Sequence, residues 1–409
     1  MDSVHAMSSA NNASSFTTGG NLWRCKRSTK NIYYTSCCDS KASQYKRKTQ
    51  IEYNPLMFKQ SRLNNHYKWI EGEATYEECN KKHVGKAISR PYFDSEPQHS
   101  NSKNLLVSIK KFVVALYRFC YPYSVIARIL STVSASLLVV EKVSDISPLF
   151  LIGVLQAMVP LLFMDIYVNG VNQLSDLEID KINKPYLPLV SGQISFTTGV
   201  IIVASSLTLS FWLAWTIGSW PLIWNLVSCF SLWTAYSINV PLMRWKRHPL
   251  LAAICVCATW ALIFPITFFA HMQTFVLKRT TIFPRSLIFV IIFMSFYSLG
   301  IALFKDIPDI DGDQTFGIQS FSARFGQKRV FWICIFLFEM AFGIALVAGL
   351  TSSSLLVKIV TGLGHAVLAW ILWYKANFVD LSSKASIGSF YMLIWKLLYV
   401  AYFLMPLIR

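Results

Sequence analysis

The fold is decided by an apolar run that leads directly into an acidic motif. SPLFLIGVLQAMVPLLFMDIYV, residues 147–168, is followed without a break by NGVNQLSDLEIDKINKP, residues 169–185. The apolar run is long enough to cross a bilayer as a helix of about 20 residues. A helix also satisfies its own backbone hydrogen bonds, as a chain in lipid must. The pair of segments therefore predicts a transmembrane helix that leaves the membrane at an acidic loop.

Polar side chains continue the helical period across this boundary. They are spaced four, three, four and four residues apart at Asp165, Asn169, Asn172, Asp176 and Asp180. At about 100° per residue, all five fall within roughly 80° of one helical face. The spacing predicts a single stripe of oxygen ligands.

Eight further apolar blocks resemble the first in length. Only 14% of the 409 residues are charged and 54% are hydrophobic, whereas a soluble domain has about 25% charged residues. This composition predicts an all-α polytopic membrane protein with about nine transmembrane helices. The nine blocks are 122–140, 147–168, 195–216, 219–239, 249–270, 286–304, 329–349, 354–374 and 386–408.

A second acidic motif, KDIPDIDGD at residues 305–313, follows the sixth block. On a helix, Asp306, Asp309 and Asp313 share a face and Asp311 points elsewhere. With nine spans, the loops after the second and sixth blocks both emerge on the side of the N-terminus. The even-numbered connections carry most of the Lys and Arg residues between blocks, so the positive-inside rule predicts that both motifs face the stroma of a plastid.

Carboxylates that converge at a membrane edge require a compensating cation. Magnesium suits such a site because it takes one or two carboxylates together with phosphate oxygens and water. Basic residues near the motifs add donors for phosphate, and the combination predicts a diphosphate substrate. These residues are Lys184, Arg244, Lys246, Arg247, Lys305 and Arg324. The alternative interpretation is that the acids are solvated loop residues opposite loop bases.

The first 104 residues differ in composition from the rest. Residues 1–50 contain eight Lys or Arg and only two acids, with many Ser and Thr, which is typical of a plastid transit peptide. Residues 51–104 are polar and aperiodic and are predicted to be flexible, which leaves 105–409 as the transmembrane domain. The net charge of +17 therefore divides between a targeting segment and orientation signals, and nucleic acid is not an expected partner.

The paired motifs resemble those of plant aromatic prenyltransferases of the UbiA superfamily, especially the legume flavonoid, isoflavonoid and pterocarpan dimethylallyltransferases. N-Q-x-x-D-x-x-x-D begins at Asn172, and K-D-x-x-D-x-x-G-D begins at Lys305. The similarity also covers NKPYLPL (183–189), PLMRWKR (241–247) and FGIQSFSARFG (316–326). It implies helices around a central cavity and transfer of a dimethylallyl group from its diphosphate to an isoflavonoid-type phenol, such as the pterocarpan glycinol at C-4.

The resemblance also implies roles for individual residues. It implies Mg²⁺ held by Asn172, Asp176, Asp180, Asp306, Asp309 and Asp313, with Asp176, Asp180, Asp309 and Asp313 acting in catalysis. The diphosphate would bind Lys184, Arg244, Lys246, Lys305 and Arg324. Phe163, Tyr167 and Tyr297 are candidates for the aromatic lining, with packing as the alternative role of each. Asp165, or the released diphosphate, is a candidate base for the proton that is lost.

Two departures from the family pattern bear on the acceptor and on catalysis. Homogentisate-type members carry R-P-H-T at the first helix, where this chain has Tyr121, Pro122, Tyr123 and Ser124; the difference counts against homogentisate as acceptor. Some microbial members have Y-x-x-x-K, whereas Tyr236 is followed four residues later by Val240. A homogentisate or other quinone-precursor prenyltransferase and a membrane transporter remain as alternatives, and the oligomeric state is left open.

Overall fold

The computed structural model describes residues 100–280, 282–352 and 354–408, and all regular structure within them is helical. The predicted transit peptide and almost all of the predicted flexible segment lie outside these residues. The helices are α1 (Ser100–Phe119), α2 (Pro122–Leu137), α3 (Pro148–Ser175), α4 (Leu177–Asn183), α5 (Phe196–Ile217), α6 (Trp220–Ser237), α7 (Pro249–Cys257), α8 (Phe264–Ala270), α9 (Arg285–Phe304), α10 (Ile310–Thr315), α11 (Phe321–Phe325), α12 (Gln327–Leu350), α13 (Leu355–Ala376) and α14 (Lys384–Leu404).

Every predicted block is helical, but nine membrane spans are not confirmed. Seven helices are long and apolar enough to cross a membrane, one of them the continuous segment Pro249–Val276, which includes α7 and α8. An eighth span would be the pair formed by α1 and α2, which meet at a bend of 64°. The fourth block, α6, is not among these spans; it has Asn225 in its interior and three tryptophans along its 18 residues.

Helix α1 was not among the predicted blocks. It begins at Ser100, so the helical part of the chain starts a little before the predicted boundary at residue 105. Its side chains from Leu105 to Val114 are exposed, including Lys110 and Lys111. The prediction missed α1 because this run is interrupted by charges and is shorter than a full span.

Close helix packing positions α3, the helix that carries the first motif. It packs mainly on α5 and also contacts α6 and α2. A methyl group in place of the hydrogen at Gly170 would overlap Val203 of α5 and Phe119 of α1, so this close approach requires glycine. Pro160 interrupts the backbone of α3, and Ser210 Oγ donates a hydrogen bond of 2.8 Å to its carbonyl oxygen.

The second motif is positioned by α9, which packs against α12 and α7. Tyr297 at its centre is fully buried, with its ring against Phe293 and Phe338. The short helices α4 and α10, which follow α3 and α9, contact each other. The two acidic motifs therefore meet at one end of the bundle.

Candidate active site

The first motif lies where α3 ends. Asp176 terminates α3 and precedes α4, and Asp180 lies in the first turn of α4. Both side chains are buried at 5% exposure. Asp176 itself is not helical, with φ −111° and ψ 11°, so the helix that would carry the predicted stripe is interrupted here.

Asn169 of the predicted polar stripe, and Gln173, which the stripe did not include, have structural partners instead. Asn169 Nδ2 donates to the carbonyl oxygen of Cys120 at 3.0 Å, and Gln173 Nε2 donates to that of Phe119 at 2.7 Å. These carbonyls lie at the break between α1 and α2, where the regular helical partners are missing. Of the first motif, Asp180 lies near the second motif through the shared cation Lys184.

The second motif folds over the first. Gly312 N donates to Asn183 Oδ1 at 3.0 Å, and a methyl group at Gly312 would overlap the Asn183 amide. This contact brings α10 onto α4. Asp313 is buried at 7% exposure, whereas Asp311 is exposed and forms an ion pair with Lys384 at 2.8 Å. Asp311 therefore lies apart from the acids that were predicted to bind metal.

Lys184 connects the two motifs directly. Its Nζ lies 2.5 Å from Asp309 Oδ2 and 3.9 Å from Asp180 Oδ1. Acids from motifs about 125 residues apart therefore share one cation. The contact shows that the two acidic motifs lie on the same end of the bundle, independently of the number of spans.

Other predicted cations pair with Asp176 and Asp306. Asp176 contacts Lys246 and also Arg244, at 3.2 Å. Lys305 Nζ lies 3.0 Å from Asp306 Oδ1 and donates to the hydroxyl of Tyr236 at 2.7 Å. Tyr236 thus contacts Lys305, which lies far away in sequence. The Y-x-x-x-K spacing could not predict this contact.

Two predicted cations are placed differently. The Arg324 guanidinium is exposed on α11 and donates to Gln319 Oε1 at 2.8 Å. Arg247 is also exposed. In the part of the chain that the structure describes, neither of the two forms an ion pair with the acidic motifs.

The acids raise one another's affinity for protons. Burial, together with the nearby carboxylates of Asp306 and Asp309, raises the pKa of Asp313 to about 7. Burial raises the pKa of Asp180 to about 6, with Lys184 acting in the opposite direction and Asp176 and Asp309 adding to the rise. The site thus holds more carboxylates than its own cations neutralise, and a bound divalent cation would relieve this repulsion.

The donor set fits magnesium that is shared with a diphosphate. Within residues 105–408 as described, no three Asp, Glu, His or Cys side chains form a group that could hold a metal by themselves. Magnesium is commonly bound by one or two carboxylates with phosphate oxygens and water completing its shell. Carboxylates from both motifs could supply oxygen ligands for a metal, and the lysines among them could donate hydrogen bonds to phosphates.

Aromatic side chains adjoin the acids on the membrane side. The Tyr121 hydroxyl, at the break between α1 and α2, interacts electrostatically with Lys184, Asp180 and Asp309. The Tyr121 ring lies 5.8 Å from that of Tyr123, which in turn lies 5.4 Å from Trp395. Prediction from sequence did not find these rings as lining, because they come from two helices at opposite ends of the chain.

The aromatic residues predicted as lining have packing contacts. Tyr297 Oη donates to the Ile394 carbonyl at 2.6 Å inside the core. The Tyr167 hydroxyl is hydrogen-bonded to Thr234 Oγ1 at 2.6 Å, and its ring packs on Phe230. Phe163 is half-buried.

Known proteins resemble this chain over most of its length. The sequence model of the UbiA prenyltransferase family matches residues 129–397. Glycinol 4-dimethylallyltransferase of Glycine max is 61% identical over all of both chains. Naringenin 8-dimethylallyltransferase 2, chloroplastic, of Sophora flavescens is 49% identical over 97% of both.

A further relative and a solved structure also match this chain. Homogentisate phytyltransferase 1, chloroplastic, of Arabidopsis thaliana is 54% identical over 77% of this chain and 80% of its own length. A UbiA homologue from Archaeoglobus fulgidus, solved bound to GPP and Mg²⁺, superposes with a TM-score of 0.50 at 14% identity. It covers 71% of this chain and 99% of that chain.

Proposed function

Because the chain belongs to the UbiA prenyltransferase family, we propose that it transfers a dimethylallyl group from dimethylallyl diphosphate to an aromatic carbon of a pterocarpan. The acceptor we propose is glycinol and the carbon is C-4. The observation that carries the proposal is 61% identity along the whole chain to a glycinol 4-dimethylallyltransferase. The convergence of both acidic motifs on Lys184 supports the diphosphate as donor.

Mg²⁺ would be held by Asn172, Asp176 and Asp180 from the first motif and by Asp306, Asp309 and Asp313 from the second. The metal would supply positive charge to the diphosphate as it leaves. Asp176, Asp180, Asp309 and Asp313 are the residues on which we propose that turnover depends most. The phosphate oxygens would accept hydrogen bonds from Lys184, Lys246, Arg244 and Lys305. Arg324 would donate to them only after moving away from Gln319.

The reaction then needs an environment that excludes water. The allylic C–O bond breaks, a C–C bond forms to the electron-rich ring, and the ring loses its proton to a base. Water would capture the allylic cation, so a dry cavity is required. The rings of Tyr121, Tyr123 and Trp395 beside the acids provide an apolar wall there. Asp165 is held in an ion pair with Arg128 at 2.5 Å, so the released diphosphate is the more accessible base.

The proposal is tested with microsomes from cells that express the chain. They are supplied with Mg²⁺, dimethylallyl diphosphate and either glycinol or homogentisate, and products are identified by mass and NMR. We expect glycinol prenylated at C-4 and little reaction of homogentisate. Preferred prenylation of homogentisate would replace the proposal with the second candidate, which the 54% identity to a homogentisate phytyltransferase favours.

Localisation follows from the same relatives and from the helices. The chain has at least seven apolar helices able to span a membrane, and two of the relatives above are chloroplastic by name. We propose that residues 1–50 direct it to a plastid membrane with the acidic motifs facing the stroma. Import into isolated chloroplasts, followed by protease treatment of the envelope and thylakoids, tests both statements.

A further inference from the structure

A buried ion pair lies inside the membrane-spanning part of the bundle, away from the acidic motifs. Arg128 of α2 and Asp165 of α3 have side chains that are 4% and 0% exposed, and Arg128 Nε lies 2.5 Å from Asp165 Oδ1. Charges at membrane depth are costly and mark functional sites more often than packing sites. The diphosphate chemistry proposed above does not use this pair.

Both partners retain unused hydrogen-bonding capacity. Among the described residues, Arg128 Nη1 and Asp165 Oδ2 are buried and have no hydrogen-bond partner. Arg128 Nε and Asp165 Oδ1 lie within ion-pair distance but also form no hydrogen bond. An unsatisfied buried polar atom is unfavourable. The pair therefore offers both donors and acceptors, which a hydroxyl group can satisfy.

Aromatic rings connect the pair to the acids. The Arg128 guanidinium lies over the rings of Trp260 at 5.0 Å and Phe264 at 4.7 Å. The Trp260 ring is 5.7 Å from Trp395, and Trp395 is 5.4 Å from Tyr123 beside the acids. Flat ring systems stack favourably on such side chains.

The depth of the pair limits what could reach it from the acids. Asp165 precedes Asp176 by eleven residues along α3, which places it roughly 16 Å further into the membrane at 1.5 Å per residue. A single-ring phenol placed next to the donor is too short to span this depth. A fused multi-ring phenol with a hydroxyl on its far ring is long enough.

We propose that the Arg128–Asp165 pair binds the distal hydroxyl of a multi-ring phenolic acceptor and thereby fixes which ring faces the donor. Arg128 would donate to the phenol oxygen, and the phenol would donate to Asp165. This inference rests on the proposed function, because it requires a polyphenol acceptor in the same cavity.

The test compares wild type with the double variant Arg128→Gln/Asp165→Asn, which removes both charges together and leaves no unpaired buried ion. Glu339→Gln is the matched control, because it neutralises another membrane-embedded carboxylate on α12 that has an unpartnered oxygen. The acceptors are glycinol and its methyl ether at the hydroxyl of the ring that is not prenylated. KM for acceptor, KM for dimethylallyl diphosphate and kcat are measured for each protein in detergent.

We expect wild type and Glu339→Gln to show at least tenfold lower KM for glycinol than for the methyl ether. The double variant should raise the glycinol KM about tenfold, lose this discrimination and keep its KM for dimethylallyl diphosphate within about twofold. An unchanged glycinol KM with discrimination intact would overturn the inference. A wild type that prenylates no polyphenol would instead refute the proposed function, and the inference with it.

A double variant that does not fold is recognised by gel filtration and thermal unfolding. The single variant Arg128→Lys then keeps the test decisive, because it retains the charge and the ion pair but changes the donor geometry. Here too we expect loss of discrimination between glycinol and its methyl ether. Retained discrimination in Arg128→Lys would count against the inference.

Discussion

Lys184 is predicted to compete with the divalent cation for the acids. Its Nζ is 2.5 Å from Asp309 and 3.9 Å from Asp180, where a metal would otherwise find uncompensated carboxylate charge. We expect Lys184→Met to strengthen metal binding when no diphosphate is present. The same substitution should weaken the binding of dimethylallyl diphosphate, because one phosphate donor is lost.

The magnitude follows from the geometry. Two unit charges 4 Å apart interact by about 4 kcal/mol near a protein surface, whereas fully exposed pairs contribute about 0.2–1 kcal/mol. The Lys184 side chain is 28% exposed and that of Asp309 is 15% exposed, so an intermediate value of roughly 1.5 kcal/mol is appropriate. This corresponds to about tenfold tighter binding of the metal.

The assay is titration of purified protein with Mn²⁺ in place of Mg²⁺, with free Mn²⁺ measured by EPR. The titration is run at pH 8.5, because removal of Lys184 raises the pKa of Asp180 above about 6. At lower pH, protons would compete with Mn²⁺ for this carboxylate. Lys181→Met is the control, since Lys181 is exposed and pairs with exposed Glu178. Equal or weaker Mn²⁺ binding by folded Lys184→Met would refute the reasoning.

Three further predictions concern the acids and their support. Asp309→Asn should reduce Mg²⁺-dependent turnover at least about 100-fold while the protein elutes as wild type in gel filtration; full activity would remove Asp309 from the site. Without Mg²⁺, the free energy of unfolding should fall from pH 5 to pH 8. The pKa values of Asp180 and Asp313 are raised to about 6 and 7, so the folded state binds more protons in this range than the unfolded state does. Thermal unfolding at each pH measures this, and a flat profile would contradict it. Gly312→Ala should displace Asn183 and so lower activity about tenfold or more, whereas unchanged activity would show that α10 can shift without effect.

The helices could be predicted from the sequence because they depend on local properties. The meeting of the motifs was predicted from a count of nine spans, which the structure does not confirm, although the motifs do meet. Apolar length and the 3.6-residue period are visible in any window of about 20 residues. The pairing of Lys184 with Asp309 was not visible, although both residues were predicted to act on the same substrate. Which cation meets which acid depends on how α4 and α10 pack, and no local pattern encodes that.

The polar stripe on α3 shows where reasoning from periodicity fails. Asn169 has the spacing of a ligand and Gln173 belongs to the acidic motif, yet each satisfies a backbone carbonyl at the break between α1 and α2. That break includes Tyr121 with a positive φ of 51°, a rare conformation for a tyrosine. The sequence alone does not distinguish a metal ligand from a buried polar side chain that hydrogen-bonds to the backbone of a neighbouring helix.

The charge balance of the site constrains how the diphosphate binds. Of the five motif aspartates at the site, Asp313 forms no ion pair among the described residues, and the other four pair with Lys184, Arg244, Lys246 and Lys305. Five acids therefore face four cations, which leaves one negative charge. A prenyl diphosphate adds up to about three more. One divalent cation would leave two negative charges in a half-buried site, where uncompensated charge is costly. Neutrality therefore requires either a second divalent cation or protons on Asp180 and Asp313, the two acids whose pKa is raised towards neutral pH.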